Sequence, residues 1–529
     1  MTDLPQISSQ SPERLKESAP LSNANSSHWA PRLAQEARLR ALDEMIARSP
    51  GSEATIATEI ERASLLGALD RRHEAQLAFI DILQRRPTNF SALNEFGTHL
   101  AAMGAIDAAC RVYAEAILHH PDHPMARVNL ANLLLRANRH EEARAHYEAA
   151  LNADPDHAPA HQGLGAVLAD NGERDRAREH FRKGFAGRAI STLPYRGKHE
   201  PVPVVQLVSS GGGNIPTAPF LDDCIFATSV VVADFLDPAL PLPPHQLIFN
   251  AIGDADLCGP ALQAAVDLTG RSRAAVINDP RAVMKTGRVD IAKRLAGLPG
   301  VVTAKTVPVA RDILIGPKGA AWMFENNFSF PLLLRSPGYH TGRNFILVEN
   351  ESELSAAAAR LPGTDLLVIE YLDARAKDGS ARKYRVMMIG GKTYPLHLAI
   401  SRNWKVHYFT SDMADQPDHR AEELAFLSDM PGVLGEGAMA ALCAIRDVLG
   451  LDYAGVDFAL NENRELLLFE ANATMVLASP DPDPRWAYRR PAITSAVEAV
   501  IAMIRERAAG DAQNGNMSQK SAFGWDLAP

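Results

Sequence analysis

Two carboxylates near the C-terminal end of the chain follow apolar segments. Asp457 lies in "YAGVDFAL", and Glu470 follows "LLLF", with Asn472 two residues later. A carboxylate at the end of a buried strand loses hydration free energy unless a partner compensates for the loss. The short turn "NENRE" between the two segments predicts a hairpin that brings the three polar side chains together. We therefore expect a charged partner for this group.

The segments upstream predict the elements that must position these residues. Apolar segments alternate with helical patterns in residues 204–310, which predicts a small parallel α/β domain. Residues 188–203 indicate a linker before it. The turn "SSGGGN" has neither the Lys-Ser/Thr of a P-loop nor the spacing of a dinucleotide-binding loop. It is either a ligand contact or a tight turn at the edge of the sheet.

The N-terminal third repeats with a period of 34 residues, as at Pro87, Pro121 and Pro155. Small, aromatic and leucine positions keep the same register: Ala75, Ala109, Ala143, Ala177; Phe79, Tyr113, Tyr147, Phe181; Gly97, Ala131, Gly165; Leu100, Leu134, Leu168. The pattern resembles a tetratricopeptide repeat array, with three clear repeats at residues 88–189 and a weaker one at residues 54–87. Such an array binds a peptide or protein on its concave face, or serves as a dimerisation or packing module.

Composition excludes several classes of protein. A chain of 529 residues is expected to form two to four domains. The net charge of -9 does not favour nucleic-acid binding, no segment is apolar enough to span a membrane, and the four cysteines form no CxxC motif. Residues 1–30 are polar and predict a disordered lead without a secretion signal, and residues 510–529 predict a disordered tail. A cytoplasmic location follows as the default expectation.

The second half of the chain resembles the ATP-grasp superfamily, which includes the D-alanine ligases, glutathione synthetases and ribosomal-protein glutamate ligases. The resemblance covers residues 204–505 and is carried by "INDP", "FPLLLR", "VIEYL", "ARKYRVMM" and the hairpin with "VDFAL" and "FEANATM". It implies a multidomain fold: an all-α repeat solenoid (31–189), an α/β preATP-grasp domain (204–310) and an α+β ATP-grasp domain (311–505). We expect ATP and Mg²⁺, with Mn²⁺ as an alternative.

The resemblance also implies roles for individual residues. Asp457, Glu470 and Asn472 match the magnesium ligands, and their hard oxygen donors suit that ion. The nucleotide-binding positions are Arg335, Gly338, His340, Gly342, Glu370, Tyr371, Leu372 and Arg385. The positions with a catalytic role are Arg385, Arg402 and Lys405. His340 suits a phosphate or acyl-substrate contact, or an exposed loop, and Arg402 and Lys405 suit an anionic intermediate or a solvated edge strand.

Two positions depart from the family pattern. Arg335 stands where the family has a lysine; an arginine keeps the charge and adds a planar fork, so phosphate contact remains available. Gly455 stands where D-alanine ligase-like members have an arginine. A cation for the intermediate must then come from elsewhere, and Arg385 and Arg402 are candidates. In this respect the motif is closer to that of the ribosomal-protein glutamate ligases.

The resemblance implies an ATP-dependent ligase that joins a carboxylate to an amine or thiol through an acylphosphate. The repeats suggest that one substrate is a peptide or protein, alongside a small amine or carboxylate. Two alternatives stay open: an ATP-grasp phosphotransferase, and a non-catalytic repeat-protein adaptor that senses ATP. We expect no nucleic-acid or membrane partner, and a homodimer stays open.

Overall fold

The structure is a computed structural model, and it describes residues 32–48, 55–339, 342–406, 408 and 411–520. The predicted lead at residues 1–30 and the loop residue His340 lie outside the described residues. The chain divides into two compact units, which are residues 1–205 with 221–244 and residues 206–220 with 245–529.

The first unit is built from helices that pair in sequence order. Helices α1 to α9 span Arg32–Arg48, Ile56–Ala68, Arg72–Arg85, Phe90–Ala102, Ile106–His119, Pro124–Arg136, His140–Ala153, Ala158–Asp170 and Arg174–Phe185. Helix α2 packs on α3, α4 on α5, α6 on α7 and α8 on α9. The weaker repeat expected at residues 54–87 is the α2–α3 pair, and the three clear repeats are the pairs that follow.

Small residues let these helices approach closely, as the aligned positions predict. A Cβ atom on Gly97 would lie 2.6 Å from the ring of Tyr113, so only glycine fits there. In the next repeat, the ring of Tyr147 in α7 lies against Gly163. This glycine belongs to α8, the first helix of the following pair. The aromatic positions are therefore buried between helices in both repeats.

Strands β1 to β3 follow the helices and span Ile190–Thr192, Val202–Val208 and Phe226–Val232. In the first unit, β1 pairs with β3 in an antiparallel arrangement. The ring of Phe235 then stacks on Phe185 at a centroid distance of 5.8 Å and also approaches Phe181. Two expectations are corrected here. The predicted linker contains β1, and residues 221–244 belong to the repeat unit because Phe235 packs against helix α9.

The second unit begins with the predicted alternation of strands and helices. Strands β4 and β5 span Leu247–Asn250 and Ala275–Ile277, and helices α10 to α12 span Gly259–Thr269, Pro280–Val283 and Arg288–Leu295. The two strands are parallel. After β5, the buried side chain of Asn278 donates a hydrogen bond to the Tyr453 carbonyl and accepts one from the Tyr453 N–H, both at 2.8 Å. This amide fixes the start of the strand that carries Asp457.

The remaining strands form two sheets. Strands β6 to β14 span Val301–Thr303, Thr306–Ala310, Leu332–Arg335, Phe345–Val348, Asp365–Glu370, Ala381–Ile389, Lys392–Ser401, Tyr453–Leu460 and Leu466–Asn472. One sheet has the order β7-β10-β8-β9, and the other has the order β12-β11-β13-β14-β6. Because β6 pairs with β14 and β7 with β10, the predicted boundary at residue 310 lies too late in the chain.

Helices α13 to α19 complete the second unit and span Arg311–Ile315, Gly319–Glu325, Glu351–Arg360, Pro417–Ser428, Met430–Leu434, Glu436–Leu449 and Arg490–Lys520. Helix α19 is the last helix of the unit among the described residues. It continues through residues 510–520, where we expected a disordered tail; residues 521–529 lie outside the described residues. Within the described ranges, no helix is long and apolar enough to cross a membrane.

Candidate active site

Polar side chains form a row across the five-stranded sheet. Arg385 of β11 lies opposite Asp457 of β13, and Asp457 lies opposite Glu470 of β14. On the other side of Arg385, the opposing residue is His397 of β12. Residues opposed in an antiparallel pair have Cα atoms roughly 4.5–5.5 Å apart, so this register places the two predicted metal ligands side by side.

A β-bulge lies between the Asp457–Glu470 pair and the pairs that follow it along β13. Phe458 pairs with Leu468, and Asp457 pairs with Glu470, so Phe469 is an additional residue in β14. The side chain of Phe469 is exposed. A bulge of this kind shifts the alternation of side chains by one residue. The bulge therefore places Glu470, rather than Phe469, opposite Asp457.

Asp457 is buried and bound to two cations. Arg385 donates to both of its carboxylate oxygens, from Nε at 2.6 Å and from Nη2 at 2.8 Å, and Lys383 Nζ donates at 3.1 Å. Burial alone would raise the pKa of Asp457, but attraction to Arg385 and Lys383 outweighs burial and holds the pKa well below its usual range. The carboxylate is therefore ionised at neutral pH, although only 4% of its side chain is exposed.

Glu470 has a cationic partner from a distant part of the chain. The Nη2 atom of Arg288, the first residue of α12, donates to Glu470 Oε1 at 2.6 Å. The Asn472 amide also donates to Oε1, at 2.8 Å, and its own oxygen accepts from the N–H and hydroxyl of Thr474. Burial lowers the pKa of Arg288, but Glu470 and Asp256 raise it above its usual value overall.

Arg335 belongs to the same electrostatic group. Burial and repulsion by Arg288 lower the pKa of Arg335 to about 10, and attraction to Glu470, Asp254 and Asp256 offsets part of that effect. Several charged groups therefore act on Arg335 in a space that is shielded from water. Arg335 therefore lies within electrostatic reach of the pair formed by Arg288 and Glu470.

The glycine-containing loop after Arg335 closes over its own backbone. Gly338 and Gly342 have φ values of +80° and +69°, which other residues rarely adopt. The guanidinium of Arg335 donates to the carbonyl of Tyr339, and Lys405 Nζ donates to the carbonyl of Gly342. Arg335 and Lys405 thus bind backbone carbonyls on either side of the loop.

Aromatic side chains support this group of cations. The Arg335 guanidinium lies 5.3 Å from the centre of the Phe345 ring, and Trp404 meets the same ring edge-on at 5.5 Å. Such contacts hold the planar side chain in one orientation while leaving its N–H donors available. Burial and repulsion from Arg335 lower the pKa of the adjacent Lys405.

Other predicted residues lie apart from this row. Glu370 ends β10 in the four-stranded sheet, where its carboxylate accepts from the Lys305 N–H, and Tyr371 and Leu372 follow it. Burial raises the pKa of Tyr371. Arg402 is exposed, and its backbone N–H donates to Asp412. Within the described residues, none of these side chains is joined to Asp457 or Glu470 by a hydrogen bond or ion pair.

The structure explains the departure at Gly455. This glycine pairs with Met387 across the sheet, and a Cβ atom on it would collide with the side chain of Met475. An arginine does not fit at this position because Met475 covers it. The cations that reach this part of the sheet come from the neighbouring strand instead, as Lys383 and Arg385.

Comparison with known proteins identifies the repeats at residues 94–185. The tetratricopeptide repeat family model matches residues 94–158 and 134–185. The chain contains tetratricopeptide repeats. Their helix pairs are those that the 34-residue period predicts. No curated protein sequence matches the chain.

Solved structures resemble parts of the chain at low identity. A MamA fragment from Desulfovibrio magneticus RS-1 is 22% identical over 29% of this chain and 86% of its own, with a TM-score of 0.25. YrrB, described as a tetratricopeptide repeat protein with an unusual peptide-binding site, is 19% identical over 29% and 78%, with a TM-score of 0.23. The D-alanine-D-alanine ligase from Coxiella burnetii is 12% identical over 60% and 99%, with a TM-score of 0.37.

The donor groups on the hairpin suit a magnesium ion. Asp457, Glu470 and Asn472 supply carboxylate and amide oxygens, the ligand types that Mg²⁺ takes in proteins. The ion pairs keep Asp457 ionised, and metal binding requires a deprotonated ligand. The register places the two carboxylates opposite each other, so the residues present fit the ion.

Three members of the group cannot be identified from local sequence patterns. Arg288 lies 182 residues before Glu470, so no local pattern connects them. Lys383 Nζ donates to Asp457 across the β11–β13 pair, which only the strand pairing places together. His397 was missed because its position depends on the pairing of β11 with β12. Burial and repulsion from Arg385 lower the pKa of His397 well below its usual value, so the ring is neutral.

Proposed function

We propose that this chain is an ATP-dependent ligase that joins a carboxylate to an amine, acting on a peptide or protein substrate held by the tetratricopeptide repeats. The observation that carries the proposal is the pairing of Asp457 with Glu470 across β13 and β14 beside several cations. Oxygen donors for a divalent ion and cations for phosphates are the two requirements of ATP chemistry, and both occur in one row of side chains.

In this proposal Asp457, Glu470 and Asn472 hold Mg²⁺. The bound ion supplies charge neutralisation for the phosphates of ATP, which lowers the repulsion that an attacking carboxylate meets. The protein's own groups complete this neutralisation. Arg335 and the backbone at Gly338 and Gly342 would cover the phosphates, and the backbone and side chains of Glu370, Tyr371 and Leu372 would hold the nucleoside.

The cations of the site already have carboxylate partners within the chain. Lys383 and Arg385 pair with Asp457, and Arg288 pairs with Glu470. If Mg²⁺ took Asp457 and Glu470 as ligands, these cations would lose their counter-ions, and a buried charge without a counter-ion costs free energy. The oxygen atoms of a polyphosphate would then replace those of the two carboxylates.

The proposed reaction has two steps. An oxygen of the substrate carboxylate bonds to the γ-phosphorus of ATP, the bond from that phosphorus to the bridging oxygen breaks, and ADP leaves. The amine nitrogen then bonds to the acyl carbon of the acylphosphate, the bond from that carbon to the phosphate oxygen breaks, and the amine loses a proton. Arg385, Arg402 and Lys405 are the candidates to stabilise the negative charge that develops on oxygen.

Release of ADP tests the proposal. The full-length protein with ATP and Mg²⁺ is screened against small carboxylates, amines and peptides, and ADP is measured with and without an amine. A ligase needs both a carboxylate and an amine for sustained turnover. Continuous ADP release from a single substrate, with a stable phosphorylated product, would instead identify a phosphotransferase.

Variants of the hairpin provide the matching control. We expect Glu470→Gln to reduce ADP release by at least about 100-fold, because it removes a metal ligand. Asp483→Asn changes the charge equally at an exposed carboxylate paired with Arg485 and leaves ADP release unchanged. If Glu470→Gln and Asp457→Asn both retain the wild-type rate, the ligase proposal is wrong.

A further inference from the structure

Arg489 is a buried cation of the second unit whose guanidinium forms no hydrogen bond. It ends the short 3₁₀-helix Pro484–Arg489, and only 10% of its side chain is exposed. Its Nε atom is buried without a hydrogen-bond partner, and none of its other nitrogens donates to a residue that the structure describes. A guanidinium has five N–H donors, and donors withdrawn from water without acceptors cost free energy.

Glu423 of α16 lies beside Arg489 but does not accept from it. Its Oε1 atom is 3.3 Å from Arg489 Nε, without the alignment of a hydrogen bond. The carboxylate instead accepts from the hydroxyl groups of Tyr408 and Tyr488 and from the Leu398 N–H. Glu423 therefore attracts Arg489 electrostatically while the N–H donors of the guanidinium stay without acceptors.

His397 of β12 is a second buried group without a hydrogen-bond partner. Only 6% of the residue is exposed, its Nδ1 atom is buried and unpaired, and the ring forms no hydrogen bond with any residue in the described ranges. Burial, together with repulsion from Arg385 and Arg489, lowers the pKa of His397. The ring is therefore neutral, with one N–H donor and one acceptor nitrogen.

The ring of Tyr408 contacts both of these groups. Its centre lies 4.9 Å from the centre of the His397 ring and 4.0 Å from the guanidinium carbon of Arg489. The ring of Trp486 approaches Tyr408 at 6.0 Å. Aromatic contacts of this kind hold a guanidinium in place without using its N–H donors. Groups fixed in advance lose little conformational entropy when a ligand binds.

Arg489 and His397 lie beside the row of polar side chains across the five-stranded sheet. His397 is opposite Arg385, and Arg385 donates to both carboxylate oxygens of Asp457. Lys383, Arg385 and Arg489 all act electrostatically on the His397 ring. His397 therefore lies within electrostatic reach of both Arg489 and the proposed magnesium ligand Asp457.

The two ends of this row differ in their partners. At the Glu470 end, Arg288 forms an ion pair with Glu470, and Arg335 lies within electrostatic reach of both. Arg335 is the candidate for phosphate contact. At the other end, His397 and Arg489 have N–H donors without acceptors. This second end is thus available to a ligand other than the phosphates, and its donors suit an anion.

We propose that Arg489 and His397 bind the substrate carboxylate that the ligase activates and hold it next to Arg385. A guanidinium presents two parallel N–H donors that match the two oxygens of a carboxylate, and the His397 ring supplies a further N–H donor. The carboxylate belongs either to a peptide C-terminus or to an aspartate or glutamate side chain. The inference rests on the proposed function only in taking the bound carboxylate as the one that reacts.

Calorimetric titration of the full-length protein tests the proposal without turnover. The probes are N-acetyl amino acids with a free α-carboxylate, the N-acetyl amides of aspartate and glutamate, and neutral N-acetyl amino-acid amides, each with and without a non-hydrolysable ATP analogue and Mg²⁺. Binding of one carboxylate class, and not of the neutral amides, is expected and identifies the source of the carboxylate. The proposal is wrong if no carboxylate binds in either condition, or if inorganic phosphate binds as tightly. Carboxylate binding by a protein that releases no ADP would reject the ligase and retain the site.

The affinity of the tightest carboxylate probe then reports on the two residues directly. Arg489→Gln should weaken binding at least about tenfold, because it removes charge-assisted hydrogen bonds. His397→Phe keeps a ring beside Tyr408 and removes both nitrogens, so it should weaken binding as well. Arg490→Gln is the matched control, because it removes the same charge at the next residue, which is exposed and donates to the Pro482 carbonyl. Unchanged affinity in Arg489→Gln, or an equal loss in Arg490→Gln, contradicts the proposal.

A double substitution separates binding from a structural role. Arg489→Gln alone leaves the buried carboxylate of Glu423 without its cation, so we expect a lower unfolding temperature. Combining it with Glu423→Gln removes both charges and should restore most of the thermal stability, while the probe still binds at least about tenfold more weakly than to the wild type. Recovery of affinity along with stability in the double variant would show that Arg489 is only the counter-ion of Glu423, and the proposal would be overturned.

Discussion

The ion pairs of the two units differ in solvent exposure and in the sequence separation of their members. In the tetratricopeptide repeats most of the ion pairs are exposed and local, such as Arg139 with Glu142. In the second unit the pairs around the sheet join residues far apart in sequence, such as Arg288 with Glu470 and Arg385 with Asp457, and they are largely shielded from water. Exposed pairs contribute little to stability, whereas buried ones are costly to break. The contrast therefore lies between pairs that solvent screens and pairs whose loss leaves an uncompensated buried charge.

The largest expected effect on stability follows from breaking the buried pairs. Asp457→Ala leaves Arg385 and Lys383 without their shared carboxylate, and we expect a loss of about 3–5 kcal/mol in the free energy of unfolding. Chemical denaturation of the full-length protein measures the change. Glu142→Ala, which breaks the exposed pair with Arg139, serves as the control and should be close to neutral. Equal effects of the two substitutions would remove the distinction between buried and exposed charges.

Packing in the repeats predicts the next largest effect. Gly163→Ala places a methyl group against the ring of Tyr147, and overpacking of this kind costs about 1–3 kcal/mol. Gly437→Ala is the matched control, since a Cβ atom there meets no other atom within 4 Å. Thermal unfolding should show a lower transition temperature for Gly163→Ala than for the wild type. The control Gly437→Ala should show no decrease. A tolerated Gly163→Ala would mean that the aromatic positions pack more loosely than the structure indicates.

The buried carboxyl group of Glu423 should make the stability of the protein depend on pH. Burial raises its pKa, although attraction to Arg489 and hydrogen bonds from Tyr488 and Tyr408 offset part of the effect. The folded protein then binds a proton more tightly than the unfolded chain, so stability falls as the pH rises from the unfolded pKa towards the folded one. Glu423→Gln should reduce this slope in unfolding measurements at several pH values. An unchanged slope in Glu423→Gln would contradict this prediction.

The smallest effect is expected at the surface of the repeats. Arg139 and Glu142 are both more than half exposed, and such a pair is screened by solvent and salt. A double-mutant cycle with Arg139→Ala and Glu142→Ala should give a coupling close to the error of the measurement. A coupling as large as that between Arg385 and Asp457 would contradict the comparison between the units.

Much of the first unit could be predicted because its signal is periodic. The columns that contain Tyr113 and Tyr147 recur every 34 residues, and each column has the same packing role in successive repeats. The aromatic cluster of Phe235 with Phe181 and Phe185 could not be predicted this way. Phe235 comes from a segment that reads as part of the following α/β region, and only its packing assigns it to the repeats.

The sequence by itself determined the repeats, the β13–β14 hairpin, and the types and order of Asp457, Glu470 and Asn472. These are local features, set by short-range periodicity and by a turn such as "NENRE". Tertiary structure decided that Arg288 reaches Glu470 and that Met475 occupies the space beside Gly455. The physical reason is that electrostatic and packing energies depend on distance in space, and strand register and helix packing set those distances between residues far apart in the chain.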